Sequence, residues 1–557
     1  MSSFFPSFLS GITFLGMPTE VYQHGSQVWA AALSAIAIAL IMAHVTMPVF
    51  YKLQVSSSFE YLERRFSKNV RTFSSTLYIV SLFIFVPIVV FVPAIAFSQV
   101  TGHNVHLITP IFCIVCITYT SMGGVKAVVW TDTIQFVFTI GSTLAILVLG
   151  IKSVGGVSDA WEVAKRGGRV VFFDMDPSPL RRDTFWAQTV GVTTVLLARL
   201  GLGQKFVQRY LSIKEEKDLN KAIYLLPLGW GAIQLTCVFT GLLMYAKYHD
   251  CDPKLAKHIE RYDQILPYYV MDIAGHIPGL PGMFLAGLTS SALATMSASL
   301  NTLSGTIYDT LIDRWIPEKP GKEARAANIM KIISVLVGIV TIGLIFVIER
   351  LGTIYEMALS IASTVEAPLL GLFLLGMLFP WVGKKGAMVG ACASLVVTSW
   401  LIIGQQWYIS QKIGRYPDLP MSIDGCPNPG LFNVTVTTTS KAFILLASNE
   451  TRNHTTISDV GHEVTQNEPA AIYRLAVVYF TLIGTITAIF VGLTTSFVVG
   501  EMDLSKVDPE HISPAIRRFF PREKFYSRVP TKEAELVTIG QKLDITAKIT
   551  NNPDLIH

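Results

Sequence analysis

Hydroxyl-bearing side chains are concentrated in an apolar stretch between residues 286 and 301. Ser291 and Thr295 in this stretch are four residues apart, so a helix places them on one face. A sodium ion takes about five or six oxygen ligands, as other hard cations do, and hydroxyl and carbonyl oxygens are suitable. The pattern therefore predicts part of a small-cation site. The alternative is a close-packed helix seam whose hydroxyls bond to carbonyls of their own helix.

Two charged residues lie inside apolar stretches, Arg199 within 186–203 and Glu366 within 352–381. A charge at membrane depth is by default a functional candidate. We expect Arg199 to contact an anionic substrate, or to pair with Glu366 and set a gate. The alternative for Arg199 is a side chain that extends to the membrane interface, about 7 Å away at 1.5 Å per residue. Glu366 lies too deep for that alternative, which favours a functional role.

Glycine and proline interrupt two of the apolar stretches. Residues 10–13 and 16–18 predict a break in the first stretch, and Gly201-Leu-Gly203 predicts one near the end of 186–203. Broken membrane helices persist only where they line a cavity or pack on protein, and in secondary transporters paired breaks form the binding sites. The alternative is that the glycines only permit close helix packing.

The composition shows what kind of body must position these residues. Of 557 residues, 51% are hydrophobic and 15% are charged, against about 25% charged in soluble domains. The sequence therefore predicts an all-α polytopic membrane protein. The net charge of +5 is small, so we expect no nucleic-acid partner. About 20 apolar residues cross a bilayer, which predicts about twelve spans, the first of them incomplete, at 4–22, 28–51, 73–99, 105–120, 131–151, 186–203, 222–246, 282–311, 330–349, 352–381, 387–407 and 472–498.

Lysine and arginine fall on alternate connections between these spans. Cytoplasmic loops carry an excess of both residues, which predicts that the basic connections and the tail, 500–557, are cytoplasmic. The basic residues are Lys52, Arg64, Arg65, Lys68, Arg71, Lys126, Lys205, Arg209, Lys214, Lys217, Lys221, Arg314, Lys319, Lys322, Arg325, Lys331, Lys384, Lys385, Arg517, Arg518, Arg522, Lys524 and Arg528.

The opposite side carries a long loop, 408–471, with three Asn-X-Thr sequons at Asn433, Asn449 and Asn453. Such sequons are glycosylation acceptors in secreted loops, so we expect a glycosylated extracellular loop and a plasma-membrane protein. Cys251 and Cys426 also lie in exterior loops, where a disulfide is chemically permitted. Free thiols at both positions remain equally open. Within spans, where we expect packing roles, lie Cys113, Cys116, Cys237 and Cys392.

Several motifs together resemble the sodium:solute symporter family, over about residues 7–498. The run 123–135, Gly-Gly-Val-Lys-Ala-Val-Val-Trp-Thr-Asp-Thr-Ile-Gln, resembles the family signature. The branch of sodium-coupled monocarboxylate, multivitamin and iodide transporters is suggested by residues 16–22, Gly-Met-Pro-Thr-Glu-Val-Tyr. Further segments similar to the family are 57–66, 93–102, 208–212, 263–268 and 368–371.

The resemblance implies a LeuT-type inverted repeat of five plus five helices, with 4–22 as the first core helix and 186–203 as the sixth. It implies coupling of sodium entry to uptake of a small anionic solute. Carried over by position, the sodium ligands are backbone oxygens near Pro6 and Leu9, the Ser291 carbonyl, and side chains at Ala294 and Thr295. The substrate cavity would contain Phe8, Ser10 and Thr13.

Three features depart from the family pattern. By the resemblance, the chain starts inside the first core helix, whereas relatives usually have a full first core helix and an extra helix before it. Ala294 stands where relatives commonly have serine, and a lost hydroxyl ligand weakens ion binding by roughly 1–3 kcal/mol. Pro6 stands where the family prefers a small residue, and proline has no N–H to pair.

The sequence thus predicts a sodium-coupled symporter of a small organic anion, monocarboxylate-like, working by alternating access. Residues 1–499 form the transporter domain, with core helices at about 4–381. We expect no cofactor beyond sodium as coupling ion and no enzymatic activity, because no P-loop, His-Glu-x-x-His or Gly-x-Ser-x-Gly motif is present. The alternatives are a weakly coupled or sodium-independent carrier or sensor of the same fold, a vitamin or iodide transporter, and a channel. The oligomeric state is left open.

Overall fold

The computed structural model of the chain describes residues 11–55, 57–213, 215–316, 321–348, 354–411, 418–426, 470–500 and 507–519. At 122–136, 314, 347–348, 354–357 and 410 it describes the backbone alone.

Every regular secondary-structure element within these ranges is an α, 3₁₀ or π helix. This is expected for a chain that must satisfy its backbone hydrogen bonds in lipid. We number the helices α1 to α16 in chain order. They are α1 Gly11–His24, α2 Ser26–Leu53, α3 Ser58–Arg65, α4 Lys68–Thr101, α5 Val105–Ser153, α6 Val157–Arg166, α7 Ala187–Gly201, α8 Gln204–Leu211, α9 Glu216–Tyr248, α10 Ile265–Ala274, α11 Leu280–Ile312, α12 Lys322–Ile348, α13 Ile354–Leu378, α14 Lys384–Ser410, α15 Val478–Val499 and α16 Pro514–Arg517.

The long helices confirm the predicted membrane architecture. Among the described residues, eight helices are long and apolar enough to cross a membrane, or up to ten if each of two bent pairs is one span. The bent pairs are 137–153 with α6, at 77°, and α7 with α8, at 55°. The predicted total of about twelve spans stays a prediction, because residues 4–10 of the first lie outside the described ranges.

Two predicted interruptions are wrong. The backbone is helical from Val105 to Ser153, across the connection predicted at 121–130. No proline occurs between 111 and 153 to stop the helix. At 1.5 Å per residue this stretch is about 73 Å long, enough for both predicted spans.

The first helix also continues through the break predicted at 16–18, with Pro18 inside α1. Pro18 cannot donate a backbone hydrogen bond. Its carbonyl packs against Gly241 of α9, where a Cβ would lie 2.6 Å away. The Thr19 hydroxyl donates to the carbonyl of Leu15 at 2.9 Å. Neighbouring helices and threonine hydroxyls are the usual means by which a membrane helix tolerates proline.

One end of the helical bundle, which we call the disulfide end, is closed by residues 418–426, the disulfide loop. A disulfide joins Cys251 to Cys426, with Cα atoms 5.0 Å apart. The Leu419 amide donates to the carbonyl of Gln23 at the end of α1, at 2.9 Å. The fully buried guanidinium of Arg169 donates to the carbonyls of Tyr22 and Leu419. These bonds hold the end of α1 beneath the loop.

At the opposite end, the tail end, residues 507–519 pack back onto the helices as a tail strap. The Ser513 amide donates to the carbonyl of Met377 at 3.0 Å, and the Tyr61 hydroxyl donates to the carbonyl of His511 at 3.0 Å. Ile512 is 1% exposed. Arg65 of α3 donates to carbonyls at the end of α13, including that of Gly376. Residues 507–519 of the predicted cytoplasmic tail, 500–557, therefore pack on the folded body.

The predicted packing of the cysteines within spans holds for three of four. Cys113, Cys116 and Cys237 are buried, whereas Cys392 is exposed on the surface of α14, so that prediction is wrong. Membrane helices are apolar on their outer face as well as inside, so hydropathy alone does not separate the two positions.

Candidate functional site

A cavity of about 230 Å³ lies where α1, α4, α7, α11 and α13 meet. It extends from Ile12 and Thr13, at the start of α1, to Phe59 and Phe206 near the tail end. Its polar lining comes from Thr13, Tyr78, Ser81, Arg199, Gln204, Lys205, Trp230, Thr295, Ser299 and Glu366. Four residues predicted from the sequence, Thr13, Arg199, Thr295 and Glu366, therefore line one cavity although they are far apart in the chain.

The predicted break at 201–203 is confirmed and forms one wall of this cavity. Helix α7 ends at Gly201, α8 begins at Gln204, and their axes differ by 55°. The last turn of α7, Leu197–Gly201, is π-helical. A Cβ at Gly203 would lie 2.2 Å from the Arg199 carbonyl oxygen, so only glycine permits this bend. The break turns the end of α7, including Arg199, towards the cavity.

Arg199 and Glu366 form an ion pair that connects α7 to α13. Arg199 Nε lies 2.5 Å from Glu366 Oε1, and the two side chains are 32% and 17% exposed. Arg199 Nη2 and Glu366 Oε2 are buried without a hydrogen-bond partner in the described residues. The arginine side chain is therefore directed to the glutamate rather than to the membrane interface. A pair with one free donor and one free acceptor has hydrogen-bonding capacity left over, which a partner could satisfy after rearrangement.

The hydroxyl face of α11 reaches the cavity through Thr295 and Ser299. The Thr295 hydroxyl donates to the Ser291 carbonyl at 3.1 Å, and the Ser299 hydroxyl donates to the Thr295 carbonyl at 2.7 Å. Ser291 and Ala294 are buried but do not line the cavity. In this structure the hydroxyls bond to their own helix, as in the packing alternative. An ion would have to replace the bond between Thr295 and Ser291, worth about 1 kcal/mol.

Helix α1 approaches α11 closely beside these groups. A Cβ at Gly11 would lie 3.2 Å from the Ala292 Cβ and 3.5 Å from Val92 Cγ1. Ala292 follows Ser291 in the chain, so the start of α1 lies beside the predicted cation ligands. Four predicted residues that precede this point, Pro6, Phe8, Leu9 and Ser10, lie outside the described residues.

The sequence reasoning missed several polar residues of the cavity wall. Tyr78 and Ser81 of α4 and Trp230 of α9 line it, and the Trp230 indole N–H is buried without a hydrogen-bond partner among the described residues. Gln204 Oε1 accepts from the Ser57 hydroxyl, the Ser58 amide and the Ser58 hydroxyl, at 3.1, 2.6 and 2.8 Å. This contact joins α3 to α8. Uncharged polar residues in membrane helices are common, so their type alone gave no signal.

The sequons Asn433, Asn449 and Asn453 lie outside the described residues. They remain predictions. In the sequence they lie between the disulfide loop and α15.

Comparison with known proteins agrees with this arrangement. The sodium:solute symporter family matches residues 1–393. The chain is 35% identical over 513 residues to the mouse (Mus musculus) sodium-coupled monocarboxylate transporter 2, covering 92% of this chain and 79% of that protein. It is 35% identical to the human (Homo sapiens) sodium-coupled monocarboxylate transporter 1, covering 91% and 81%. It is 33% identical to the rabbit (Oryctolagus cuniculus) sodium-dependent multivitamin transporter, covering 92% and 78%.

A solved structure of a Na⁺-coupled sialic acid symporter, in a substrate-bound outward-open state, matches with a TM-score of 0.66 and 20% identity, covering 89% of each chain. At this identity the likeness concerns the fold, which is the LeuT-type fold expected from the sequence. A family match over residues 1–393, together with relatives matched over most of their length, leads to one conclusion: the chain belongs to the sodium:solute symporter family.

Proposed function

We propose that this protein is a plasma-membrane symporter that couples sodium entry to uptake of a small monocarboxylate-like anion. The observation that carries the proposal is the cavity, which brings a guanidinium, a bent helix and a hydroxyl-lined helix together. Its volume of about 230 Å³ is smaller than the roughly 300–1,000 Å³ of sites for drug-sized ligands. A cavity of this size suits a solute of a few heavy atoms. The names of the relatives support the same solute class.

In this proposal Arg199 provides the positive charge for the carboxylate. Its Nη2 atom has no hydrogen-bond partner in the described residues, and guanidinium groups bind carboxylates through paired N–H donors. Glu366 holds Arg199 while the site is empty. Thr13 of α1 contributes a hydroxyl to the cavity lining, and Phe8 and Ser10 precede it in the chain.

Sodium would bind between α1 and α11. The Ser291 carbonyl and the Thr295 hydroxyl supply two oxygens, and backbone oxygens near Pro6 and Leu9 supply others. The approach of Gly11 to Ala292 supports this placement. Sodium binding joins the two helices and stabilises the state open at the disulfide end. Coupling of the ion and solute sites is reciprocal and typically amounts to about 1–3 kcal/mol.

The proposal places the disulfide end outside the cell and the tail end in the cytoplasm. Basic residues of the connections at the tail end support this orientation, as does a disulfide at the opposite end, since disulfides persist in oxidising compartments. The cavity is lined at the tail end by α3 and α8, whereas α1 is covered at the disulfide end. In this proposal the structure represents a state closed to the outside.

A second candidate is a weakly coupled or sodium-independent carrier or sensor of the same fold. Ala294 favours it, because this buried side chain has no hydroxyl to offer an ion. Sodium-independent uptake of the same solute, or binding without uptake, would identify it. Vitamin acids and iodide remain alternative solutes for the coupled carrier.

The test is uptake of radiolabelled lactate, nicotinate, biotin and iodide in sodium and in choline buffer, with surface expression measured. Thr295→Val is compared with Thr302→Val. Both threonines are 8% exposed and donate to the carbonyl four residues before them, but only Thr295 lines the cavity. We expect sodium-dependent uptake of at least one solute, lost at least tenfold in Thr295→Val and retained in Thr302→Val. Equal losses in both variants would contradict the sodium role of Thr295. Equal uptake in both buffers would support the second candidate.

A further inference from the structure

A cluster of ionisable side chains, the polar cluster, lies at the disulfide end and apart from the cavity. It comprises Glu20 and His24 of α1, Arg182 and Asp183 of the segment before α7, and Asp418 of the disulfide loop. The cluster therefore connects three parts of the chain. None of its members lines the cavity.

Ion pairs hold most of these groups in place. Arg182 binds Glu20 through two N–H donors, with Nε at 2.5 Å from Oε1 and Nη2 at 2.8 Å from Oε2. His24 lies between two carboxylates, 3.3 Å from Glu20 and 3.4 Å from Asp418. Glu20 is only 7% exposed. Paired geometry of this kind compensates a buried carboxylate.

Asp183 is the weakly compensated member. Its Oδ1 accepts from Gln188 Nε2 at 2.7 Å, but its buried Oδ2 receives no hydrogen bond within the described part of the chain. Arg182 Nε lies 3.7 Å from that oxygen and is committed to Glu20. Burial and the neighbouring Glu20 carboxylate raise the pKa of Asp183 to about 6. Near neutral pH, closing this end therefore buries a second carboxylate at a cost.

In the alternating access proposed above, opening of the disulfide end would move apart the three parts that the cluster joins. Separation would hydrate Asp183 and remove Glu20 from its side, so the open state would bind a proton at Asp183 less tightly than the closed state. The charged groups facing Asp183 are Glu20 and His24 from α1 and Arg182 from its own segment, with Asp418 behind His24. A proton thus has different affinities for the two states, which is what a ligand needs to shift their populations.

We propose that the polar cluster is a proton-sensitive lock, in which external acid holds the disulfide end closed and opposes sodium binding. The inference rests on the proposed sodium coupling and orientation. The sign is fixed by linkage, because a group whose pKa is higher in the closed state favours that state as pH falls through its closed-state value. Between pH 7.4 and 5.5 the closed state gains about fourfold over the open state.

The test measures sodium-induced thermal stabilisation of the purified full-length protein in sodium against choline, titrated at pH 7.4 and 5.5. In the wild type, half-maximal stabilisation should need about fourfold more sodium at pH 5.5, provided the closed state predominates without sodium. The substitution is made in a His24→Gln background, because the His24 imidazole beside Glu20 and Asp418 titrates in the same range. There Asp183→Asn mimics the protonated acid and should need the same, higher sodium concentration at both pH values. Asp176→Asn is the matched control, because Asp176 lies in the same segment but is 35% exposed and paired with Arg181.

His24→Gln separates the histidine from the aspartate. A pH effect that persists in the His24→Gln/Asp183→Asn double variant, or that disappears in His24→Gln alone, overturns the assignment to Asp183. Equal sodium stabilisation at both pH values in the wild type overturns the lock and leaves the sodium proposal intact. No sodium stabilisation at either pH refutes the proposed sodium coupling itself. An unchanged response in Asp176→Asn with loss in Asp183→Asn supports the lock.

Discussion

The ion pair between Arg199 and Glu366 should stabilise the folded transporter measurably. Glu366→Gln leaves the guanidinium without a counter-charge, and Arg199→Gln leaves the carboxylate alone. Breaking a buried pair by removing one partner costs about 3–5 kcal/mol. Arg199 is 32% exposed to the cavity, so solvent reduces this figure and we expect about 2–4 kcal/mol for each single substitution.

The double variant Arg199→Gln/Glu366→Gln should be more stable than the sum of the single losses predicts. Both charges are then gone, and two neutral amides remain that can bond to each other. The expected interaction energy of the double-mutant cycle is about 2 kcal/mol or more. Because unfolding entropy grows with chain length, 1 kcal/mol corresponds to roughly 1–2 °C in a protein of this size. Glu366→Gln should therefore unfold about 2–8 °C lower than the wild type.

A thiol-reactive dye provides the assay, since Cys113, Cys116 and Cys237 are buried and become reactive on unfolding. Cys392 is exposed, so the measurement uses a Cys392→Ala background to remove its signal. The dye reports the midpoint of thermal unfolding for each member of the cycle in detergent.

The control cycle uses Asp218 and Lys221, whose charged atoms lie 2.9 Å apart but whose side chains are 51% and 66% exposed at the start of α9. A surface pair contributes about 0–1 kcal/mol, so these variants should shift the midpoint little. Additive losses at Arg199 and Glu366, or a Glu366→Gln variant as stable as the wild type, would refute the argument that the pair is coupled.

Two further variants test the packing around the site and at the tail end. Gly11→Val should reduce sodium-dependent uptake about tenfold or more, because the added Cβ would lie 3.2 Å from the Ala292 Cβ and must displace it. The control Gly343→Val, in open space on a membrane helix, should retain uptake. Equal losses in the two variants would contradict the close contact. Ile512→Asp should release the tail strap, because Ile512 is 1% exposed and a buried charge is costly. Limited trypsin digestion should cut the strap of this variant at least about tenfold faster than that of Phe519→Asp, because Phe519 is 74% exposed. Equal cutting rates would show that the strap is not held.

Local patterns in the sequence were sufficient for the long membrane helices and for the bend between α7 and α8. The apolar stretches predicted the long membrane helices, because hydropathy over about 20 residues depends on the bilayer and not on tertiary contacts. The glycine pair at 201 and 203 predicted the bend between α7 and α8, because a side chain at Gly203 would collide with the Arg199 carbonyl. By contrast, Pro18 did not break α1, because Gly241 of α9 accommodates the carbonyl beside it. That outcome depended on a neighbouring helix that lies more than 200 residues away in the chain.

The candidate site shows the same division between what the sequence determined and what the tertiary structure decided. The sequence by itself determined which side chains carry chemistry, since Arg199 and Glu366 are charges that lipid does not tolerate without a partner. Only the tertiary structure decided that they are partners, that Thr13 and Thr295 share their cavity, and that the Thr295 hydroxyl bonds to Ser291 in this state. The polar cluster around Asp183 gave no signal in the sequence, because its members come from three separate segments and resemble ordinary loop charges. Charge and hydropathy are properties of single residues, whereas burial and pairing arise only when distant segments of the chain meet.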